Sequence, residues 1–139
     1  MQREHIRQSQ RIKIGMMKTW KDVYKLPLSV DKWDGRVYDN ADNFVFQFQA
    51  GNENFQEYVL DVINGDKEGD PTCRYRYEDQ QVLDCFGIAV ILIRGWGNLT
   101  GIGGFNLSSE EAVNIQDTFG EFIASRLSTN EDFTADLDS

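Results

Sequence analysis

FGIAVILIRGWGNLTGIGG, residues 86–104, is the stretch around which the rest of the chain must be arranged. It opens with Ile88-Ala89-Val90-Ile91-Leu92-Ile93, a run that is rich in β-branched residues and too short to span a membrane, and that stops at Arg94 and a glycine-punctuated segment. That composition predicts a central strand. Apolar residues on both parities predict burial on both faces, so other strands are expected beside it, with helices or loops above and below.

Immediately upstream, Thr72 to Cys85 (TCRYRYEDQQVLDC) reads as a hairpin centred near Asp79. A turn symmetric about that residue sets Cys73 opposite Cys85, Tyr75 opposite Leu83 and Tyr77 opposite Gln81 on one face, and Arg74 opposite Asp84 on the other. With Phe86-Gly87 turning into the central strand, residues 73–95 form a three-stranded meander. Downstream, Ser108 and Glu111 make an S-x-x-E capping box, and Ala112, Ile115, Phe119, Phe122, Ile123 and Leu127 follow at three- and four-residue spacing. A helix over about 109–127 is predicted.

Further out, Gly35-Arg36-Val37-Tyr38 and Phe44-Val45-Phe46-Gln47-Phe48 flank the turn formers Asp39 to Asn43, a hairpin signature. Strict alternation places Phe44, Phe46 and Phe48 on its buried face and Val45, Gln47 and Gln49 on the other. Asn52 to Ile63 reads as a helix, capped by Asn52 and stopped by Asn64-Gly65. Before these, residues 18–28 predict one helical turn and then an extended segment, because Pro27 ends any helix. The result is an α+β domain over residues 17–128, with an antiparallel sheet of about five strands in the order β-β-α-β-β-β-α and two helices packed on it. An all-β barrel with one helix is the alternative. Residues 1–16 read as a flexible basic extension, and residues 129–139 as an acidic disordered tail.

Charge divides the chain unevenly. Residues 1–25 hold seven Lys/Arg against two Asp/Glu, net +5, and residues 26–139 hold seven against 21, net −14. An acidic body repels phosphate backbones, so direct nucleic-acid binding is disfavoured, whereas mimicry of a polyanion is not. With no 18-residue apolar run and no apolar stretch of signal-peptide type at the N-terminus, a cytoplasmic protein with reduced cysteines is expected.

Chemistry is sparse. His5, the single histidine, falls in the extension, so the domain has no histidine for a Ser-His-Asp or Cys-His arrangement or for a His-based metal site. No catalytic residue, metal site or cofactor is assigned. Asp66, Glu68 and Asp70 alternate in an exposed acidic loop but lack the spacing and closing glutamate of a calcium loop. The segment 95–104, half of it glycine, invites a phosphate-binding reading, with Arg94, Gly95, Trp96, Gly97, Asn98 and Thr100 as candidate ligand residues. Against it stand a missing Walker lysine and the wrong glycine spacing. In the competing reading the glycines permit close backbone approach while Trp96, Leu99, Ile102 and Phe105 pack beneath. Arg94, leaving a buried strand, is either an anion anchor or a partner for Asp84 or Glu121.

Several segments together carry a resemblance: Trp20 to Leu28 (WKDVYKLPL), Gly35 to Asp39 with Phe44 to Phe48, Ile91 to Gly101 (ILIRGWGNLTG), and Glu110-Glu111-Ala112 with Ile115 to Phe119. Over about Lys18 to Leu127 the chain resembles a group of short uncharacterised proteins encoded by gut bacteria of the Bacteroides group and by their phages and mobile elements. The resemblance implies a genomic setting and carries no site residue. The leading expectation is a small acidic, non-enzymatic binding protein, an accessory factor of a phage or mobile element acting on a host protein. The alternatives are a nucleotide- or anion-sequestering protein using segment 95–104, a nucleic-acid mimic, and a hydrolase built on carboxylates.

Overall fold

The computed structural model describes residues 18–128; the expected extension, with His5, and the expected acidic tail lie outside them. The elements are α1 (Trp20–Val23), β1 (Ser29–Val30), β2 (Arg36–Tyr38), β3 (Phe44–Phe48), α2 (Glu53–Ile63), β4 (Tyr75–Glu78), β5 (Gln81–Asp84), β6 (Ala89–Leu92), α3 (Trp96–Thr100) and α4 (Ser109–Leu127). This is the expected α+β architecture, enlarged by three short pieces. The six strands form one antiparallel sheet in the order β1-β2-β3-β6-β5-β4, so the apolar run lies at its centre. Helix α4 crosses β4 and β5, and α2 packs on α4 and β1.

Two bulges govern which side chains reach the core. Val82 pairs with Ile91 and Leu83 with Ala89, which leaves Val90 as an extra residue on β6. Likewise Val37 pairs with Phe46 and Tyr38 with Phe44, leaving Val45 extra on β3. An inserted residue shifts the alternation by one, so two neighbours share a face. Val90 with Ile91 and Val45 with Phe46 are accordingly buried as adjacent pairs. The expectation of a strand buried on both faces is thereby corrected, since its double parity comes from a bulge, and Ala89 and Leu92 remain half-buried. Phe44 also leaves the phenylalanine face and meets Tyr38, ring centroids 6.0 Å apart, while Phe46 and Phe48 stay together at 5.4 Å.

The hairpin register differs from expectation by one residue. Asp79 and Gln80 both have positive φ, 50° and 65°, and make a two-residue turn whose twist matches that of the flanking strands. Tyr75 therefore lies opposite Asp84, Arg76 opposite Leu83 and Tyr77 opposite Val82. The Asp84 carboxylate accepts from the Phe86 and Ile88 amides at 2.8 and 3.0 Å, closing the β5–β6 turn.

The core is centred on Phe119 of α4, whose ring lies 4.9 Å from Trp20, 5.5 Å from Tyr24 and 6.0 Å from Phe46. At the next residue, Gly120 lets α4 settle onto Tyr77, whose hydroxyl donates to Asp117 at 2.8 Å. A Cβ at Gly120 would run into that ring, which the Asp117 bond keeps from swinging aside. Gly120→Ala is therefore expected to destabilise by about 1–3 kcal/mol, the overpacking cost exceeding the gain of about 1 kcal/mol in helix propensity. A urea midpoint at or above that of the parent chain would contradict this close approach.

Candidate binding groove

Where α1, the end of α2 and the end of α4 converge, they leave an open groove of about 710 Å³. Each wall is fixed by an identifiable contact. Asn114 of α4 donates to the Lys18 carbonyl at 2.7 Å, and Trp20 stacks on Phe122 at 4.6 Å, which holds α1 against α4. Asn64, capping α2, accepts from the Leu28 amide at 2.8 Å and donates to the Leu28 carbonyl at 3.2 Å. The third wall depends on Gly69, where any Cβ would strike the Arg126 and Leu127 carbonyls. With no side chain there, Asp70 can donate its amide to Leu127 at 3.0 Å and form a parallel bridge with Ser128.

The lining combines apolar surface from Trp20, Leu26, Ile63 and Phe122 with the cations Lys21, Lys67 and Arg126 and one acid, Glu68. In a chain of net charge −9, a surplus of two positive charges in one groove is a local inversion. Lys21 and Arg126 both sit over the Phe122 ring, at 5.9 and 5.3 Å from its centroid. Lys67 pairs with Asp61 at 3.5 Å, whereas neither Lys21 nor Arg126 forms an ion pair among the described residues. Two cations are thus held by an aromatic face and open to an incoming carboxylate.

The residues singled out from the sequence lie elsewhere. Arg94 is exposed, which corrects the expectation of a buried guanidinium, and it forms no ion pair with Asp84 or Glu121. Segment 95–104 is not an open loop. Gly95, at φ 107°, precedes the single turn of α3, which drives Leu99 into the core. Its polar groups are engaged internally: Asn98 donates to the Phe44 carbonyl at 3.4 Å, its own carbonyl accepts from the Phe105 amide, and the Thr100 hydroxyl donates to the Trp96 carbonyl at 2.8 Å. Gly97 and Trp96 are exposed, and the packing reading is corrected at Ile102, which is 92% exposed. None of these residues lines the groove.

The aspartates that dominate the composition have local structural work. Asp31, Asp34 and Asp70 each accept from a backbone amide two residues on, those of Trp33, Arg36 and Thr72. Asp39 is buried and accepts from the Lys25, Ala41 and Asn43 amides at 2.8–2.9 Å and from Asn43 Nδ2 at 3.1 Å. Burial works to raise its pKa, but the four hydrogen bonds outweigh it and hold the carboxyl below the usual carboxylate value.

Among the described residues no helix is long and apolar enough to cross a membrane. Comparison with protein-family models, curated proteins and solved structures gives no match and indicates no enzymatic family. The groove's own chemistry therefore carries the functional reading.

Proposed function

We propose that this is a non-enzymatic, cytoplasmic binding protein that captures an acidic segment of a protein partner in the groove between α1, α2 and α4. Charge complementarity carries the reading: an apolar floor is flanked by two cations that no carboxylate among the described residues pairs with, on a body otherwise strongly acidic. The acidic surroundings repel non-cognate acidic chains, so a partner must bring apolar anchors as well as carboxylates. The sequence resemblance fits an accessory factor of a phage or mobile element directed at a host protein.

The test is fluorescence anisotropy on the full chain, with a labelled peptide alternating aspartate with phenylalanine and leucine, beside its lysine counterpart. The acidic peptide is expected to bind and the lysine peptide to fail. Combined Lys21→Glu and Arg126→Glu should weaken binding at least about tenfold, equivalent to about 1.4 kcal/mol, with little loss of stability because both side chains are exposed. Equal binding of the two peptides, or affinity unmoved by charge reversal, would overturn the proposal. The chain's own residues 129–139, with Glu131, Asp132, Asp136 and Asp138 beside Phe133 and Leu137, are the rival occupant. If they fill the groove, neutralising those four acids will raise the peptide's affinity; if a partner fills it, the affinity will stay unchanged.

A further inference from the structure

Cys73 and Cys85 lie beyond the paired ends of β4 and β5, and their Sγ atoms are 3.5 Å apart as free thiols. The one-residue register shift makes them diagonal rather than directly opposite, yet the two sulfurs still meet. We propose that they form a thiol–disulfide exchange site whose co-reactant is a low-molecular-weight disulfide such as oxidised glutathione. The proposal goes beyond the binding reading and does not depend on it.

The two thiols are unequal in a way that orders the reaction. Cys85 is exposed and Cys73 is half-buried, with its thiol directed to the Arg74 carbonyl at 3.7 Å. Cys85 gives up its proton to solvent, and its thiolate attacks one sulfur of the small disulfide. The Cys85–S bond forms, the S–S bond breaks, and one small thiolate leaves and takes a proton from water. Cys73 then loses its proton, and its thiolate attacks Cys85 Sγ, expelling the second small thiol and closing the Cys73–Cys85 bond. Two protein thiols are oxidised and one small disulfide is reduced to two thiols, so atoms and electrons balance. Burial, the largest influence on Cys73, pushes its thiol above the ordinary value, so the second step accelerates as pH rises from neutral.

The bond would have a structural consequence. Residues 70–75 run from the groove wall at Asp70, bridged to Ser128, to Tyr75, whose amide donates to the Ser128 hydroxyl at 2.8 Å. Closing Cys73 onto Cys85 fastens this segment to the β5–β6 turn and removes freedom from the unfolded chain.

The experiment incubates the reduced full chain with oxidised glutathione and follows intact mass under non-reducing conditions. The parent chain should lose about 2 Da and retain no glutathione, the signature of an internal disulfide formed by exchange. Cys73→Ser should stop at a stable glutathione adduct, and Cys85→Ser should react much more slowly. The oxidised parent should also melt at a higher temperature than the reduced one, and the serine variants should show no such difference. A parent chain that stays unmodified, or that accumulates the same adduct as Cys73→Ser, would overturn the assignment.

Discussion

Replacing Phe119 with alanine is expected to destabilise the protein by about 3–5 kcal/mol, the upper range for emptying a buried aromatic site. The size follows from position. Phe119 is 1% exposed and joins three layers of the core: Trp20 of α1, Tyr24 after it, and Phe46 of the sheet. Trp20 is held by Phe122 and Phe46 by its strand, which limits their collapse into the gap. Phe122 gives the internal comparison. It is half-buried at the groove and flanked by Lys21 and Arg126, so its alanine variant should lose much less stability while losing peptide binding. Urea denaturation of both variants checks this, and a Phe119→Ala loss below about 1 kcal/mol would show that α4 is not the keystone of the core.

The second large effect is expected at Asp39. Its carboxylate gathers the Lys25, Ala41 and Asn43 amides, tying the segment after α1 to the β2–β3 turn. Alanine there leaves three part-buried backbone amides and the Asn43 side chain without their acceptor, and a loss of about 2–4 kcal/mol is expected, on the scale of one or two orphaned groups. The pH dependence has a definite sign. Because the folded pKa lies below the unfolded value of about 3.9, the contribution is fully present above the unfolded pKa and is lost as pH falls through the folded one. The stability gap between the parent and Asp39→Asn should therefore be widest near neutral pH and should shrink under strong acid. A gap that stays constant across that range would mean the carboxylate's charge is not what the turn uses.

Much of the fold was legible in local signals. The Ser108–Glu111 capping box and its apolar period place α4 at Ser109–Leu127, and Asn52 caps α2 as its chemistry suggests, accepting from the Phe55 amide at 2.9 Å. Double parity in β3 and β6 was harder to interpret, because adjacent buried residues arise equally from a doubly covered strand and from a bulge. Sequence does not separate the two without the partner strand's register. Strand β1 is two residues long and shows no period, and α3 contains Gly97, a poor helix former that burial of Leu99 overrides. The groove left no mark in the sequence at all. Lys21, Lys67 and Arg126 share no spacing, Trp20 and Phe122 read as ordinary core residues, and only the chain's path brings them together. Segment 95–104, by contrast, stands out by its glycines, of which Gly95 turns the chain at positive φ and Gly101 and Gly104 pack closely against backbone carbonyls.

The proposed groove is tested most directly by titrating the acidic aspartate–phenylalanine–leucine peptide into the isotope-labelled full chain and following backbone amide NMR shifts. Saturable shifts are expected at Trp20, Lys21, Gly65, Lys67, Gly69, Ser125 and Arg126, which line one groove. Shifts gathered instead at Arg94, Gly95, Trp96, Gly97, Asn98 and Thr100, or on the half-buried sheet face around Gln47, Leu83 and Leu92, would contradict it.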